Sequence, residues 1–287
     1  MKQPLFTGVC TALVTPFLEG KVNYPMLKIL LKRQMDYGIP AVTICGTTGE
    51  APTLSDSEKL KLFQESKEFC GNEMLMIAGT GSNDTHHAVM LSIAAEKAGA
   101  DGLLVVSPYY NKANPEGIYQ HYKAINDAVN IPIIVYNVPS RTGLDIPVDV
   151  YTQLAELPNI AGIKEASTSI QKIGKILSVC DLPVWSGNDD MTIPAISLGS
   201  KGVISVLSNV SPLKTILMTQ AALSGDFDTA ASLHSKLLPL MDALFCDVNP
   251  IPVKAAMKLL GYDCGDCRLP LTKLSEDKIN RLKTALK

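Results

Sequence analysis

The stretch Gly162-Ile163-Lys164-Glu165-Ala166-Ser167 places a lysine at the end of a short apolar run that begins at Asn159. Pro158 precedes the run and serine and threonine follow it, a pattern typical of a buried strand that leads into a helix. An ammonium group buried without a partner is costly, so a buried lysine tends to become a neutral amine, which is a nucleophile for carbonyl carbons. The alternative is a strand-end lysine that reaches water. The rest of the chain distinguishes these two interpretations.

An apolar segment followed by a helical pattern recurs along the whole chain. Segments rich in valine and isoleucine begin near Val9, Ala41, Met74, Gly102, Pro132, Ile160, Pro183 and Gly202. Helix starts lie between them, among them a capping box over residues 55–58. Repeated strand–helix units of this kind predict an α/β fold, a closed (β/α)8 TIM barrel. An open doubly wound sheet would usually carry a glycine-rich turn after its first strand, where this chain has Thr11-Ala12-Leu13-Val14-Thr15.

The strand signals stop at Gly225, and residues 226–246, 250–260 and 275–287 predict three helices. We therefore expect a barrel domain over residues 1–224 and a C-terminal helical domain over residues 225–287. No low-complexity linker separates them.

Composition and charge exclude several classes of protein. The net charge of -2 gives no electrostatic basis for binding nucleic acid or an anionic membrane. No apolar run approaches the roughly 20 residues of a membrane span, and the N-terminus lacks the pattern of a signal peptide. Seven scattered cysteines suggest reduced core thiols, and the pair Cys264 and Cys267 lacks two further ligands at metal-like spacing. We expect a cytoplasmic enzyme without a metal.

In such barrels the active site lies at the carboxyl ends of the strands. Most of the predicted strands end in polar or reactive residues: Gly46-Thr47-Thr48-Gly49-Glu50, Ser107-Pro108-Tyr109-Tyr110-Asn111, Tyr136-Asn137-Val138-Pro139-Ser140-Arg141, Lys164, Gly187-Asn188-Asp189-Asp190 and Ile204-Ser205-Val206. Among the lysines, Lys201 precedes the last strand and falls on the opposite face. Lys254 and Lys258 lie in the helical extension, where we expect them to be solvated. Lys164 alone combines a buried strand with the catalytic rim.

Other strand-end residues have both a catalytic and an ordinary interpretation. The 46–49 turn offers amides and hydroxyls that suit a carboxylate, but it also fits a common Gly/Thr turn. Tyr110 and Tyr136 can relay protons with Thr48, or simply pack. Arg141 can act as a cation near Lys164 or bind a substrate carboxylate. The four histidines fall in predicted helices, and we interpret them as surface or packing residues.

Three motifs, in the order and on the strands expected, carry a resemblance to a known family. They are Gly46-Thr47-Thr48-Gly49-Glu50, Tyr136-Asn137-Val138-Pro139-Ser140-Arg141-Thr142-Gly143 and Gly162-Ile163-Lys164-Glu165-Ala166. Together they resemble the class I pyruvate-dependent aldolases and lyases, and within them the dihydrodipicolinate synthase family, over essentially the whole chain. The resemblance implies a lyase that condenses pyruvate with L-aspartate 4-semialdehyde to 4-hydroxy-tetrahydrodipicolinate. This reaction is the first committed step of lysine biosynthesis by the diaminopimelate route.

The resemblance also implies roles for individual residues. Lys164 would form a Schiff base with pyruvate, and Thr48, Tyr136 and Tyr110 would relay protons, with Tyr110 supplied by a neighbouring subunit of a homotetramer (a dimer of dimers). No metal or organic cofactor is implied.

Substrate binding is implied for a second set of residues. Thr47 and Thr48 would hold the pyruvate carboxylate, and Arg141 would bind the carboxylate of L-aspartate 4-semialdehyde. Gly187 and Ile204 would shape the pyruvate pocket through backbone groups.

A regulatory cleft in lysine-inhibited members of the family departs from the pattern here. Asn83 and Tyr109 match that cleft. Asp56 and Lys59 stand in place of its histidines, and His87 stands in place of its glutamate. We therefore expect weak or no inhibition by lysine.

Two other functions remain as alternatives. A sister aldolase that cleaves N-acetylneuraminate or a 2-keto-3-deoxy sugar acid would share Lys164, Tyr136 and the Gly-Thr turn, but would generally lack an arginine at position 141. A non-catalytic barrel that senses a ligand would be expected to lose the lysine or the relay, and both are present.

Overall fold

The computed structural model describes residues 2–287. Its strands are β1 (Gly8–Ala12), β2 (Phe17–Leu18), β3 (Lys21–Val22), β4 (Ala41–Ile44), β5 (Leu75–Gly79), β6 (Gly102–Val106), β7 (Ile133–Asn137), β8 (Ile160–Glu165), β9 (Val184–Ser186) and β10 (Gly202–Ser205). Its helices are α1 (Tyr24–Asp36), α2 (Asp56–Cys70), α3 (Thr85–Lys97), α4 (Pro115–Ala128), α5 (Pro139–Thr142), α6 (Val148–Ala155), α7 (Ile170–Val179), α8 (Thr192–Ser197), α9 (Pro212–Leu223), α10 (Phe227–Leu244), α11 (Ile251–Leu259) and α12 (Glu276–Ala285).

Eight of the strands close into a parallel barrel in the order β1-β10-β9-β8-β7-β6-β5-β4. This confirms the predicted (β/α)8 fold. Capping chemistry fixes where its helices begin: the Ser55 side chain accepts from the Glu58 amide and the Glu58 side chain accepts from the Ser55 amide, so the predicted capping box starts α2. The small antiparallel pair β2–β3 and the short helix α5 were not predicted from the sequence.

The barrel interior is filled by a layer of apolar side chains that is separate from the larger core between strands and helices. Phe6 and Trp185 stack with their ring centres 4.6 Å apart and fill the amino-terminal end of the barrel. A Cβ at Gly162 would lie 2.4 Å from the Trp185 ring, so this strand position requires glycine. In the register of β7 and β8, Tyr136 pairs with Lys164. The barrel therefore brings these two side chains together above the apolar layer that fills its interior.

Three helices, α10 to α12, follow Gly225 and pack on α9 and on one another. The expectation that both lysines of α11 are solvated is wrong for Lys254, which is only 4% exposed. Lys258 is exposed and pairs with Asp263 at 3.1 Å. Within residues 2–287, none of the helices has the length and apolar character needed to cross a membrane.

Candidate active site

A cavity of about 640 Å³ opens at the carboxyl ends of the barrel strands, and we call it the mouth cavity. Six residues predicted from the sequence line it: Thr47, Thr48, Tyr136, Arg141, Lys164 and Gly187. They come from the ends of four different strands, as expected of a site built on a closed parallel barrel.

Lys164 reaches into the mouth cavity from the end of β8 and is 5% exposed. Its Nζ lies 4.4 Å from the centre of the Tyr136 ring. Among residues 2–287, no carboxylate lies within ion-pair distance of this amine. A Cβ at Gly187 would lie 3.1 Å from Lys164 Cε and 2.5 Å from Ala166 Cβ, so only glycine leaves room for the lysine side chain.

The strand end that carries Lys164 is held from outside the barrel by Glu165, which is 1% exposed. Asn137 Nδ2 lies 3.0 Å from each Glu165 carboxylate oxygen, and the Ser167 amide donates to Oε1 at 2.7 Å. Since side chains alternate along a strand, Glu165 faces the helices while Lys164 faces the barrel axis. This network fixes the direction in which Lys164 points.

A tight turn over residues 46–50 carries the two threonines. Gly49 and Glu50 donate amide hydrogen bonds to Gly46 and Thr47, at 3.0 and 3.1 Å, and Thr15 Oγ1 donates to the Gly49 carbonyl at 2.6 Å. Glu50 adopts a left-handed conformation with φ of 57°. We call this segment the 46–50 turn; its compact backbone places Thr47 and Thr48 side by side on the cavity wall.

The 46–50 turn is tied to the C-terminal part of the chain by contacts that were not predicted from the sequence. Glu50 is 2% exposed, and its Oε1 accepts from Lys254 Nζ at 2.8 Å. Its Oε2 accepts from the Arg268 amide at 2.9 Å. Thr48 Oγ1 accepts from Asn249 Nδ2 at 3.0 Å. Apart from the placement of Glu50 in the motif, no sequence signal identified these partners, because they lie some 200 residues further along the chain.

Arg141 lies on the exposed side of the mouth cavity, in the short helix α5. Its Nη2 donates to the Asn249 carbonyl at 3.1 Å, and no ion pair engages its guanidinium among residues 2–287. The guanidinium can therefore take a carboxylate ligand at the rim of the cavity.

Two predicted site residues do not line the mouth cavity. Tyr110 is 89% exposed and adopts a left-handed conformation with φ of 72°. Ile204 is fully buried and belongs to the apolar layer inside the barrel.

Asp189 is a further buried acid on the cavity wall, and no role was predicted for it from the sequence. It is 2% exposed, and its Oδ2 accepts from the amides of Val206 and Leu207 at 3.0 and 2.9 Å. Burial raises the pKa of Asp189 above its ordinary value. These contacts join the loops after β9 and β10 and so shape the wall next to Gly187.

A second cavity of about 240 Å³ includes three of the five residues expected at the regulatory cleft, and we call it the outer cleft. Lys59, His87 and Tyr109 line it. Asp56 lies 3.0 Å from His87 Nε2 and 3.6 Å from Lys59 Nζ. Asp56 therefore contacts both of the other substituted residues. Asn83 does not line this cleft, and its carbonyl accepts from Asn111 Nδ2 at 2.9 Å.

No group of three potential metal ligands occurs among residues 2–287. Cys264 and Cys267 are free thiols, and burial raises the pKa of each to about 12. Both are therefore protonated at neutral pH.

Comparisons with known proteins agree over the whole chain. The sequence model described as "Dihydrodipicolinate synthetase family" matches residues 5–287. The chain is 48% identical to the 4-hydroxy-tetrahydrodipicolinate synthase of Acetivibrio thermocellus, over 100% of this chain and 98% of that protein.

Solved structures give the same result. The chloride-inhibited dihydrodipicolinate synthase of Acinetobacter baumannii, complexed with pyruvate, superposes with a TM-score of 0.96 at 40% identity, covering 98% of both chains. A monomeric dihydrodipicolinate synthase variant also superposes with a TM-score of 0.96, at 42% identity, covering 98% of this chain and 96% of that one. The chain therefore belongs to the dihydrodipicolinate synthetase family.

Proposed function

We propose that the protein condenses pyruvate with L-aspartate 4-semialdehyde to give 4-hydroxy-tetrahydrodipicolinate, through a Schiff base on Lys164. The observation that carries this proposal is the burial of Lys164 in the mouth cavity without a carboxylate partner, beside Gly187 and Tyr136. The names of the similar proteins favour this lyase reaction over cleavage of a sugar acid by a sister aldolase.

The first step joins the lysine to pyruvate. The Lys164 amine adds to the ketone carbon, and the resulting carbinolamine takes up a proton and loses water to leave an iminium. Thr47 and Thr48 hold the pyruvate carboxylate through the amides and hydroxyls of the 46–50 turn. Gly187 gives the lysine side chain the space that a larger residue would fill.

The second step moves a proton and forms the carbon–carbon bond. The positive iminium makes the methyl group acidic, and the relay through Tyr136 and Thr48 removes a proton to give an enamine. The enamine carbon attacks the aldehyde carbon of the second substrate, whose oxygen takes up a proton. The amine of that substrate then attacks the former ketone carbon, closes the ring and releases Lys164. Arg141 holds the carboxylate of L-aspartate 4-semialdehyde during these steps.

Tyr110 completes the relay in our proposal, but from a neighbouring subunit of a homotetramer. Its 89% exposure and its position outside the mouth cavity of its own chain favour a role in trans. Mixing subunits that carry Lys164→Ala with subunits that carry Tyr110→Phe tests this, because hybrids would regain sites with both residues intact. No gain in activity over either variant alone would contradict it.

The helical domain over residues 225–287 supports the barrel domain over residues 1–224 in this proposal. It supplies Asn249 and Lys254 to the 46–50 turn. At the outer cleft, Asp56 pairs with both Lys59 and His87, so we expect weak or no inhibition by L-lysine. An inhibition constant near cellular lysine concentrations would contradict this expectation.

Trapping with borohydride tests the Schiff base directly. The protein is incubated with pyruvate and sodium borohydride, and the adduct is located by mass spectrometry of a digest. We expect a reduced pyruvate adduct on Lys164 and none in a Lys164→Ala variant; an adduct elsewhere, or none, overturns the proposal. Turnover with L-aspartate 4-semialdehyde, compared with N-acetylneuraminate and 2-keto-3-deoxygluconate, then separates the synthase from its sister aldolases.

A further inference from the structure

We propose that Asn249 is a positioning residue that sets the direction of the proton relay, by donating to Thr48 so that the Thr48 hydroxyl must donate into the mouth cavity. This inference rests on the proposed function and assigns a role to a residue outside the three sequence motifs.

Asn249 stands at the junction of the two groups that the proposed reaction needs. Its side chain donates from Nδ2 to Thr48 Oγ1 at 3.0 Å, and its main-chain carbonyl accepts from Arg141 Nη2 at 3.1 Å. Asn249 is 6% exposed and Thr48 is 3% exposed, so neither group can readily exchange this contact for water. One residue therefore touches both the relay and the arginine at the rim.

A hydroxyl group has one proton to donate and two lone pairs to accept with. The Asn249 amide occupies one lone pair of Thr48 Oγ1, so the single Thr48 proton is free to donate elsewhere. Tyr136 and Lys164 line the same cavity as Thr48. The amide thereby sets the direction of the relay: Thr48 accepts a hydrogen bond from Asn249 and donates its own proton toward the reacting groups.

The opposite orientation of the amide is less favourable. It would leave the two N–H donors of Nδ2 buried without a partner. In the orientation present, Nδ2 donates to Thr48, and the Asn249 atom left without a partner among residues 2–287 is Oδ1, a carbonyl acceptor. Buried N–H groups without a partner are rarer in proteins than under-satisfied carbonyl oxygens.

The separation between Asn249 and Thr48 is fixed by a second contact between the same two segments. Lys254, in the first turn of α11, pairs with Glu50 at the end of the 46–50 turn at 2.8 Å. Both side chains of this pair are at most 3% exposed. Because removal of either partner would leave a buried charge, the pair resists separation of α11 from the turn.

The test compares Asn249→Asp with Asn249→Ala. The aspartate keeps the shape of the side chain but replaces the donor with a carboxylate, to which Thr48 would donate its proton, reversing the relay. The alanine removes the contact without reversing it. We expect solvent deuterium exchange at the pyruvate methyl group to slow on the order of 100-fold in Asn249→Asp and only about three- to fivefold in Asn249→Ala. Borohydride trapping of pyruvate on Lys164 should persist in both variants.

Asn188→Asp is the matched control for charge. Asn188 also lines the mouth cavity, but its Nδ2 donates to the Ser167 carbonyl at 3.0 Å and not to Thr48. This variant adds the same carboxylate to the cavity, so we expect a higher KM for pyruvate with exchange at saturating pyruvate slowed less than about fivefold. In Asn249→Asp, by contrast, protonation of the introduced carboxyl restores a donor, so exchange should recover as the pH is lowered.

Equal losses in Asn249→Asp and Asn249→Ala, or equal losses in the two aspartate variants, would overturn the inference and indicate packing or charge alone. If Asn249→Asp does not fold, as judged by circular dichroism, unchanged exchange in Asn249→Ala also overturns it. Failure of the wild-type protein to form an adduct on Lys164 is a different result, and it would refute the proposed function.

Discussion

Lys164 and Lys254 are buried to nearly the same extent, 5% and 4% exposed, but their surroundings differ. Lys254 pairs with Glu50 at 2.8 Å and lies 4.3 Å from the centre of the Phe17 ring. Lys164 faces a cavity of about 640 Å³ and has no carboxylate partner among residues 2–287. A paired ammonium contributes its charge to the fold, whereas an unpaired amine beside an open cavity is available to a carbonyl compound. Burial alone therefore does not distinguish the two lysines; the presence or absence of a carboxylate partner does.

Replacing Lys164 with alanine gives the largest expected effect. We expect turnover to fall on the order of 10⁴-fold or more, since the variant lacks the proposed nucleophile of the covalent step. The unfolding temperature should change little, because removing this side chain leaves no buried partner charge unpaired. Steady-state kinetics and a thermal melt check both points, and a large loss of stability would show that Lys164 resembles Lys254.

Replacing Lys254 with methionine should reduce stability, in contrast to the loss of activity expected for Lys164→Ala. Loss of the ammonium leaves the Glu50 carboxylate buried without its partner, which we expect to destabilise the protein by about 3–5 kcal/mol. Urea unfolding measures this change. The double variant Glu50→Gln with Lys254→Met removes both charges and should recover part of the loss. A cost below about 1 kcal/mol in the single variant would indicate that the pair contributes little.

Arg141 extends the comparison of the two lysines, because it is a cation at the cavity rim without an ion-pair partner among residues 2–287. We expect Arg141→Ala to raise KM for L-aspartate 4-semialdehyde by about 10- to 100-fold, since hydrogen bonds to charged groups contribute about 1.5–3 kcal/mol. Trapping of pyruvate on Lys164 should be retained. Equal losses in both half-reactions would place Arg141 in the pyruvate site instead.

Lowering the pH should destabilise the folded protein through protonation of Glu58. Arg268 donates to both carboxylate oxygens of Glu58, at 2.8 and 2.5 Å, and its hydrogen bonds lower the pKa of Glu58 to about 2 from 4.5. Because the pKa is depressed in the folded state, this stabilisation is present above pH 4.5 and is lost as the pH falls toward 2.

Urea unfolding between pH 6 and pH 3 checks this effect. The decline in unfolding free energy should be shallower in an Arg268→Gln variant than in the wild-type protein. Parallel curves would show that the Arg268–Glu58 contact does not contribute to the pH dependence.

Much of the fold and six residues of the candidate site followed from local sequence. Strands covered on both faces form continuous apolar runs, and active-site residues of a parallel barrel stand where those runs end, so Lys164 could be placed without a structure. The same reasoning gave the wrong result for Lys254, because helix α11 carries no sign that a carboxylate lies within reach. Its partner Glu50 is 204 positions away in the sequence.

Local sequence was enough to predict the barrel, the candidate nucleophile Lys164 and the 46–50 turn, because each depends on neighbouring residues and on the period of the strand. The folded structure was needed to show which buried lysine is paired, that Asn249 donates to Thr48, and that Tyr110 lies outside the cavity of its own chain. These features depend on side chains that approach one another only after the chain has closed its barrel and laid the C-terminal helices against the 46–50 turn. Periodicity and spacing along the chain carry no information about such encounters.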